Sequence, residues 1–358
     1  MHSLDIRTLS FVAMLTSLLL ALGLQLVNRI IAKDTSLRLW TLGATANSAG
    51  FVLFSMRGFV PDLFSIIVGN TSLLAGAAWM YLGNQRFQEV QNEPPWYWFV
   101  VGGAVLGMSY FIYVVPSLTT RIVISSAATA TILFPSGFVL LSHGDDYNRA
   151  VRWVIGASFL ASALILCVRA IATPFSAFMG EDFMAVISTV QALPFVVGIV
   201  MSLVLGIGLP LLVSGRMQRR LVESEIQLQA ILESTADGIL AVDRDGKILR
   251  TNKTFAQMWQ VPQALLDSKE DGVLLDHVRA QLHDPDTFLT KVHALYQSEA
   301  DETDTLRFKD GRVYERRSSA LILNHAVLGR VWSFRDVTKR MQAQEALNAG
   351  ELAFRRLT

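Results

Sequence analysis

Seven stretches of roughly twenty mostly apolar residues dominate the first 213 positions. That is the length a helix needs to cross a hydrocarbon core about 30 Å thick. They run Ile6–Ile31, Leu37–Met56, Leu63–Gly83, Trp96–Val115, Ile122–Leu141, Val151–Ala172 and Met184–Val213. The pattern predicts an all-α membrane bundle of seven helices. Charge changes abruptly where the runs stop. Of the 61 charged residues (31 basic, 30 acidic), 19 precede Ser214 and 42 follow it, so a soluble domain is expected after the membrane one. The net charge of +1 gives no basis for nucleic-acid binding. Cys167 is the single cysteine, which excludes an internal disulfide and a cysteine-built metal site.

Loop lysines and arginines set orientation. With the N-terminus outside, the inner segments hold Arg29, Lys33, Arg38, Arg86, Arg149, Arg152, Arg216, Arg219 and Arg220, against Arg7, Arg57, Arg121 and Arg169 outside. The bias favours N-out, and seven spans then place everything after Val213 in the cytoplasm. Pro94 to Phe99, PPWYWF, sets Trp96, Tyr97 and Trp98 at the headgroup level of the fourth span. The amides of Asn47, Asn70 and Gln191 are expected to face neighbouring helices, because hydrocarbon leaves them unpaired. Pro116, Pro135, Pro194 and Pro210 are expected to kink or end spans. The seventh span has no lysine for a retinal Schiff base, and the spans lack the carboxylates of an ion-coupled transporter and any H-E-x-x-H motif.

Within Leu37–Phe87, the pattern Trp40, Gly43, Asn47, Gly50, Arg57, Pro61, Gly69, Asn70 and Gly83–Phe87 resembles the multi-span input domain of bacterial signalling proteins, many of them diguanylate cyclases. The resemblance implies a sensor in the bacterial inner membrane, in contact with lipid, and carries no ligand residues. After the last span, Met217, Leu221, Ser224, Leu228 and Ile231 follow a heptad spacing. This connector, residues 214–235, is read either as an amphipathic helix lying on its own domain or as a two-stranded coil joining two protomers; the second is favoured.

The soluble half reads as two strands, a group of helices and three strands. Gly238–Val242 and Lys247–Thr251 flank a DRDG turn with Gly246 free to adopt positive φ, and Asn252 is placed to cap the next helix. PQALLDS, GVLLDHVRAQL and PDTFLTKVHALYQ read as helices. Thr303–Phe308 passes through KDGR into Val313–Leu323, and LNHAVLG reads as a turn before Arg330–Asp336. The order predicts an α+β domain with helices on one side of a five-stranded antiparallel sheet.

Three pieces, ESTADGILAVDRDGKILRTNKTFAQMW, LRFKDGRVYERRSSAL and GRVWSFRDVTKRMQAQEAL, resemble the PAS domain family across residues 236–340. The family implies a sensor or dimerisation module with a cleft beneath its helices. Flavin-adduct relatives use a cysteine, and none follows Cys167. Haem-binding relatives use a histidine of the helical region, where His277, His283 and His293 lie, His293 being the best placed. A flavin held by Trp259 or Trp332 is the other alternative; the default is no cofactor or a small-molecule signal. The candidate cleft residues are Phe255, Trp259, His293 and Trp332. Asp336 and Thr338, both good N-cap types, end the last strand and start a helix; Arg335, Lys339 and Arg340 are candidate partners of Asp336. In the PAS family these two positions couple the sheet to the outgoing helix.

No cyclase, phosphodiesterase or kinase signature occurs in the chain. The leading expectation is a dimeric transmembrane sensor that regulates an output module, with c-di-GMP turnover or histidine kinase activity as its chemistry. The alternative is a membrane-anchored PAS protein that recruits a partner. In residues 341–358, GELAFRRLT resembles the first helix of a further PAS domain, so the output module is expected beyond Thr358.

Overall fold

The computed structural model describes residues 6–31, 34–90, 95–142, 148–175, 181–268, 271–296, 298–323 and 326–355. Lys33, Pro94, Asn324, His325 and Arg356–Thr358 lie outside the described residues, as do the side chains of Arg7, Gln191 and residues 351–355. The chain divides into two compact units, Met1–Arg219 and Arg220–Thr358.

The first unit is helical: α1 Ile6–Ile30, α2 Thr35–Ser55, α3 Gly69–Phe87, α4 Trp96–Tyr113, α5 Leu118–Ser142, α6 Arg149–Phe175 and the start of α7 Glu181–Glu233. A π-helical segment, Leu63–Val68, runs directly into α3. Where seven spans are expected, six segments among the described residues are long and apolar enough to cross a membrane: Thr8–Ile30, Leu63–Phe87, Trp96–Tyr113, Leu118–Ser142, Arg149–Phe175 and Ala192–Glu233. Helix α2 is long enough but too polar. Its packing explains why. Ser36, Leu37, Trp40, Thr41, Gly43, Ala44, Ser48 and Gly50 are all buried, so much of its surface meets protein rather than solvent or lipid.

Helices α2 and α3 approach through a seam of glycines. A Cβ at Gly43 would lie 2.9 Å from the Gly76 carbonyl, one at Gly76 2.6 Å from Asn47 Oδ1, and one at Gly50 2.9 Å from the Gly69 carbonyl. The pairing is antiparallel, and only a residue lacking Cβ lets the backbones come so close. At one end of the seam, Trp40 covers Gly83, donates Nε1–H to Asn84 Oδ1 at 2.9 Å and packs on Phe87 at 5.4 Å. Asn84 passes the connection on to the Ser136 carbonyl of α5 at 3.4 Å. The Arg216 guanidinium lies 3.9 Å from the Phe87 ring and hydrogen-bonds the Phe87 carbonyl. Asn70 accepts from Ser125 Oγ at 3.0 Å, an amide facing a neighbouring helix as expected. Tyr97 is buried against Tyr81 at 5.7 Å, so of the three aromatics assigned to the headgroups only Trp98 is exposed. Pro135, Pro194 and Pro210 lie within continuous helices, and Pro116 falls between α4 and α5.

The second unit carries β1 Gly238–Asp243, β2 Ile248–Thr251, α8 Lys253–Met258, α9 Gln263–Ser268, α10 Asp271–Arg279, α11 Pro285–Tyr296, β3 Glu302–Arg307, β4 Val313–Leu323, β5 Ala326–Asp336 and α12 Thr338–Arg355. The sheet order is β2-β1-β5-β4-β3, with every neighbouring pair antiparallel. Gly246 (φ 81°) and Gly311 (φ 90°) close the DRDG and KDGR turns with the positive φ that glycine tolerates. Strand β5 begins at Ala326, four residues before the expected Arg330. Gly329 reads as a turn residue in the sequence, yet it pairs with Asp243, where a Cβ would lie 1.9 Å from the Val242 carbonyl. The glycine marks a close backbone approach inside the sheet.

A side chain in the α2–α3 seam must push the helices apart. We expect Gly76→Leu to cost about 1–3 kcal/mol by overpacking, read as a lowered Tm of the detergent-solubilised chain. Gly102→Leu, which meets nothing within 4 Å, should leave the Tm unchanged.

Candidate functional site

The helices α8 to α11 close over one face of the sheet and bury a mainly aromatic core. Trp259 is fully buried at its centre, with ring centroids 4.8 Å from Phe308, 5.1 Å from Phe334, 6.0 Å from Tyr314 and 6.3 Å from Phe255. Trp332 packs on Tyr296 at 6.2 Å. The cavity left between helices and sheet is about 20 Å³, and Phe255, Trp259 and Trp332 all line it. Such a volume admits about one water molecule. Three of the four predicted cleft residues therefore meet here. His293 does not: it is exposed and does not line the cavity. His283 is also exposed, and His277 is half-buried, its Nε2 3.1 Å from the Gln260 carbonyl. Neither haem nor flavin fits a space of this size, and no histidine lines it among the described residues.

Sequence reasoning missed two buried arginines in the sheet. Arg316 is 2% exposed, grips Asp304 through Nε (2.8 Å) and Nη2 (2.6 Å), and lies between the Phe288 ring (5.0 Å) and the Trp332 ring (5.2 Å). Its Nη1 and the indole Nε1 of Trp259 are both buried without a hydrogen-bond partner, and both residues line the cavity. Buried donors left unsatisfied are costly. One water, or one acceptor atom of a small ligand, suits such donors. Arg330, also 2% exposed, donates to Ser318 Oγ at 2.6 Å and to the carbonyls of Leu295, Ser298 and Ala300, fixing β5 to the end of α11. Alternation along a strand should have exposed one face of these charges. The signal that could have found Arg316 is the acid Asp304 in the neighbouring strand β3, directly opposite it; Arg330 has no such signal.

Burial pushes the Asp304 carboxyl up, but its hydrogen bonds and charge pairing with Arg316, then with Lys291, outweigh this and hold it below the ordinary aspartate value. Lys291, shared between Glu302 (3.2 Å) and Asp304 (3.3 Å), is raised chiefly by its hydrogen bond to Glu302.

The two ends of the domain lie side by side. Asn252, 2% exposed, does more than cap α8. Its Oδ1 accepts from the Phe255 amide (2.9 Å) and the Ile239 amide (2.8 Å). Its Nδ2 donates to the Leu232 carbonyl (3.0 Å), Thr235 Oγ1 (3.1 Å) and the Asp237 carbonyl (2.9 Å). One side chain thus joins the last turn of α7, the linker, β1 and α8. Glu233 caps the Lys253 amide at 2.8 Å, and Arg250 pairs with Glu225 at 2.7 Å. β1 then runs antiparallel to β5, with Gly238 opposite Phe334, and Arg335 forms a bidentate pair with Asp237 at 2.9 and 2.8 Å. That pair raises the Arg335 pKa through its hydrogen bonds to Asp237.

At the exit, Asp336 Oδ1 accepts from the Thr338 amide at 2.9 Å. Thr338 Oγ1 accepts from the Val313 amide at 3.0 Å, and the amide of buried Val337 donates to the Val313 carbonyl at 3.0 Å. The first residues of α12 are therefore held by the start of β4. Two of the three basic neighbours considered for Asp336 pair elsewhere: Arg335 with Asp237, and Arg340 with Glu315 at 3.3 Å. The KDGR hairpin that leads into β4 is anchored by Arg312, which reaches Asp310 (2.7 Å), Tyr314 (2.8 Å) and the Met258 carbonyl.

Residues 226–293 match the family model described as PAS domain. No curated protein matches the chain. Among solved structures it is similar to the PAS domain of an HTR-like protein from Haloarcula marismortui, at 18% identity over 34% of this chain and 98% of that one, TM-score 0.26. It is also similar to the sensor region of a sensor histidine kinase, at 18% identity over 30% of this chain and 41% of that one, TM-score 0.23. The chain carries a PAS domain after a helical region in which, among the described residues, six helices are long and apolar enough to cross a membrane.

Two outcomes follow. Asn252→Ala should cost about 2–3 kcal/mol, from a lost cap and several buried hydrogen bonds. Hydrogen exchange should show the Ile239 and Phe255 amides losing protection first. Asp304 has its folded value below its unfolded one. Its contribution is therefore complete above the unfolded aspartate value of about 3.9 and is lost as pH falls through the folded value. Acid titration of Asp304→Asn should show a shallower fall in stability in that window than the parent chain.

Proposed function

We propose that this chain is the sensing and relay portion of a transmembrane signalling protein of the bacterial inner membrane. Helix α2 completes a seven-span bundle with the N-terminus outside, surrounded by protein and so free to be polar. The PAS domain is cytoplasmic, and α12 hands the signal to an output module, with c-di-GMP turnover the favoured chemistry on the resemblance of Leu37–Phe87. A small-molecule signal acts on the membrane bundle.

The observation that carries this reading is the shared junction. The helix that leaves the bundle ends on Asn252 and Asp237, and Asp237 is tied through Arg335 to the strand whose last residue, Asp336, starts α12. A movement at α7 reaches α12 through one ion pair and one strand end. Asp336 and Thr338 are the relay residues, because the cap they form depends on the position of β4.

The chain acts as a homodimer. Leu221, Leu228 and Ile231 of the heptad seam are 71%, 60% and 54% exposed, while α7 meets its own domain through polar groups such as Glu225 and Glu233. The two-stranded coil thus accounts for an apolar stripe that the single chain leaves in water.

Asp336→Ala and Thr338→Ala in the complete protein should abolish the response of output to stimulus while leaving Tm within a few degrees; an unchanged response would falsify the relay role. In a Cys167→Ser background, Leu221→Cys and Leu228→Cys should cross-link between chains in membranes, whereas Glu223→Cys, off the seam, should cross-link several-fold less. Equal yields at all three positions exclude the coil.

A further inference from the structure

The helical unit encloses a cavity of about 610 Å³, within the roughly 300–1,000 Å³ of small-molecule sites. Its ends differ. Antiparallel contacts fix which helix ends lie together: Gly43 on Gly76 and Gly50 on Gly69 for α2 and α3, and Gly137 on Gly156 and Ser126 on Arg169 for α5 and α6. Asn70 on Ser125 and Asn84 on Ser136 set α3 and α5 parallel. The end of α2, the start of α5 and the end of α6 therefore share one end of the bundle, opposite Arg216 and Phe87.

At that end, Arg57, Arg121 and Arg169 all line the cavity, and no Asp or Glu lines it among the described residues. Arg57 is exposed just past α2. Arg121 lies in the first turn of α5, with Nε on the Ser117 carbonyl at 3.2 Å, which leaves the guanidinium nitrogens Nη1 and Nη2 to face other groups. Arg169 donates Nη1 to Ser126 Oγ at 3.1 Å. Beyond them the wall is mainly apolar, with Asn47, Asn70 and Ser202 among its polar points: Phe54 packs on Phe195 at 5.0 Å, and Leu73, Met80 and Leu205 line the interior. Cations grouped at one end of an apolar chamber suit a ligand of one shape, a compact anion on a hydrocarbon chain.

We propose that this cavity binds a single-chain amphiphile with an anionic head, carboxylate or phosphate, the head held by Arg57 and Arg121 and the chain running toward Met80 and Leu205. Binding of this kind needs nothing from the PAS domain, so it can fail while the relay reading survives, and the reverse.

The test is equilibrium binding of radiolabelled dodecanoate to the full chain in maltoside micelles. We expect one saturable site per chain, at least tenfold weaker in Arg121→Gln and several-fold weaker in Arg57→Gln. Arg57 is exposed, so its replacement leaves folding intact, and Tm measured on both variants identifies any loss caused by unfolding. Dodecanol, with the same chain and no charge, should compete at least tenfold less well than dodecyl phosphate. Competition by phosphatidylglycerol assigns the anion to a bilayer lipid, and its failure to compete assigns it to a diffusible amphiphile; either supports the site. Non-saturable uptake, equal competition by dodecanol, unchanged affinity in a folded Arg57→Gln variant, or full displacement by inorganic phosphate as effectively as by dodecyl phosphate each overturns it.

Discussion

The buried amide of Asn252 is the point on which the second unit depends. A side chain with one acceptor oxygen and one NH2 group makes five hydrogen bonds here, to groups in four successive pieces of chain. Without it, the amides of Ile239 and Phe255, at the starts of β1 and α8, would lack this acceptor, each a desolvation cost that folding cannot ignore. The amide therefore fixes where the incoming helix stops. It also fixes where β1 begins, and so the register that places Gly238 opposite Phe334.

The same economy of close contacts governs the helical unit, by a different means. Hydrocarbon offers no hydrophobic drive between helices, so association rests on close packing and hydrogen bonds between polar side chains. Removing Cβ at Gly43, Gly50 and Gly76 brings α2 and α3 together, and Trp40 with Asn84 supplies the polar tie. Trp40, Gly43, Gly50 and Asn84 are among the residues whose pattern stands out in the sequence. Their spacing is a packing requirement before it is anything else. The cavity lies beside this seam: Asn47 of α2 and Leu73, Ala77 and Met80 of α3 line it.

Much of this is legible in the sequence, because it depends on local periodicity. Apolar runs, the DRDG and KDGR turns and the Asp336–Thr338 cap all announce themselves within a few residues. What is not legible depends on partners far along the chain. Helix α2 reads as a span in the sequence, yet it is more polar than the six others, and much of its surface meets other helices. Gly329 reads as a turn, yet its role is to let β5 approach the Val242 carbonyl. Arg316 draws no notice in the sequence and is enclosed by Asp304, Phe288 and Trp332. His293 reads as a ligand by residue type alone, and its helix turns it outward.

The arrangement of charges at the PAS domain's edge gives the relay reading its physical content. An exposed ion pair such as Asp237 with Arg335 contributes little to stability, because water competes for both partners. That weakness suits a coupling element. A strong buried pair would lock β1 to β5 in one arrangement, whereas a bidentate surface pair sets a preferred geometry that a modest displacement of α7 can change. The Asp336 cap is of the same kind, worth about 1 kcal/mol. Behind both stand the parts that do not yield: the Asn252 knot, the Arg316–Asp304 pair and the aromatic packing around Trp259. On the proposed relay, a rigid interior bordered by two weak, adjacent contacts would concentrate an imposed movement at the start of α12.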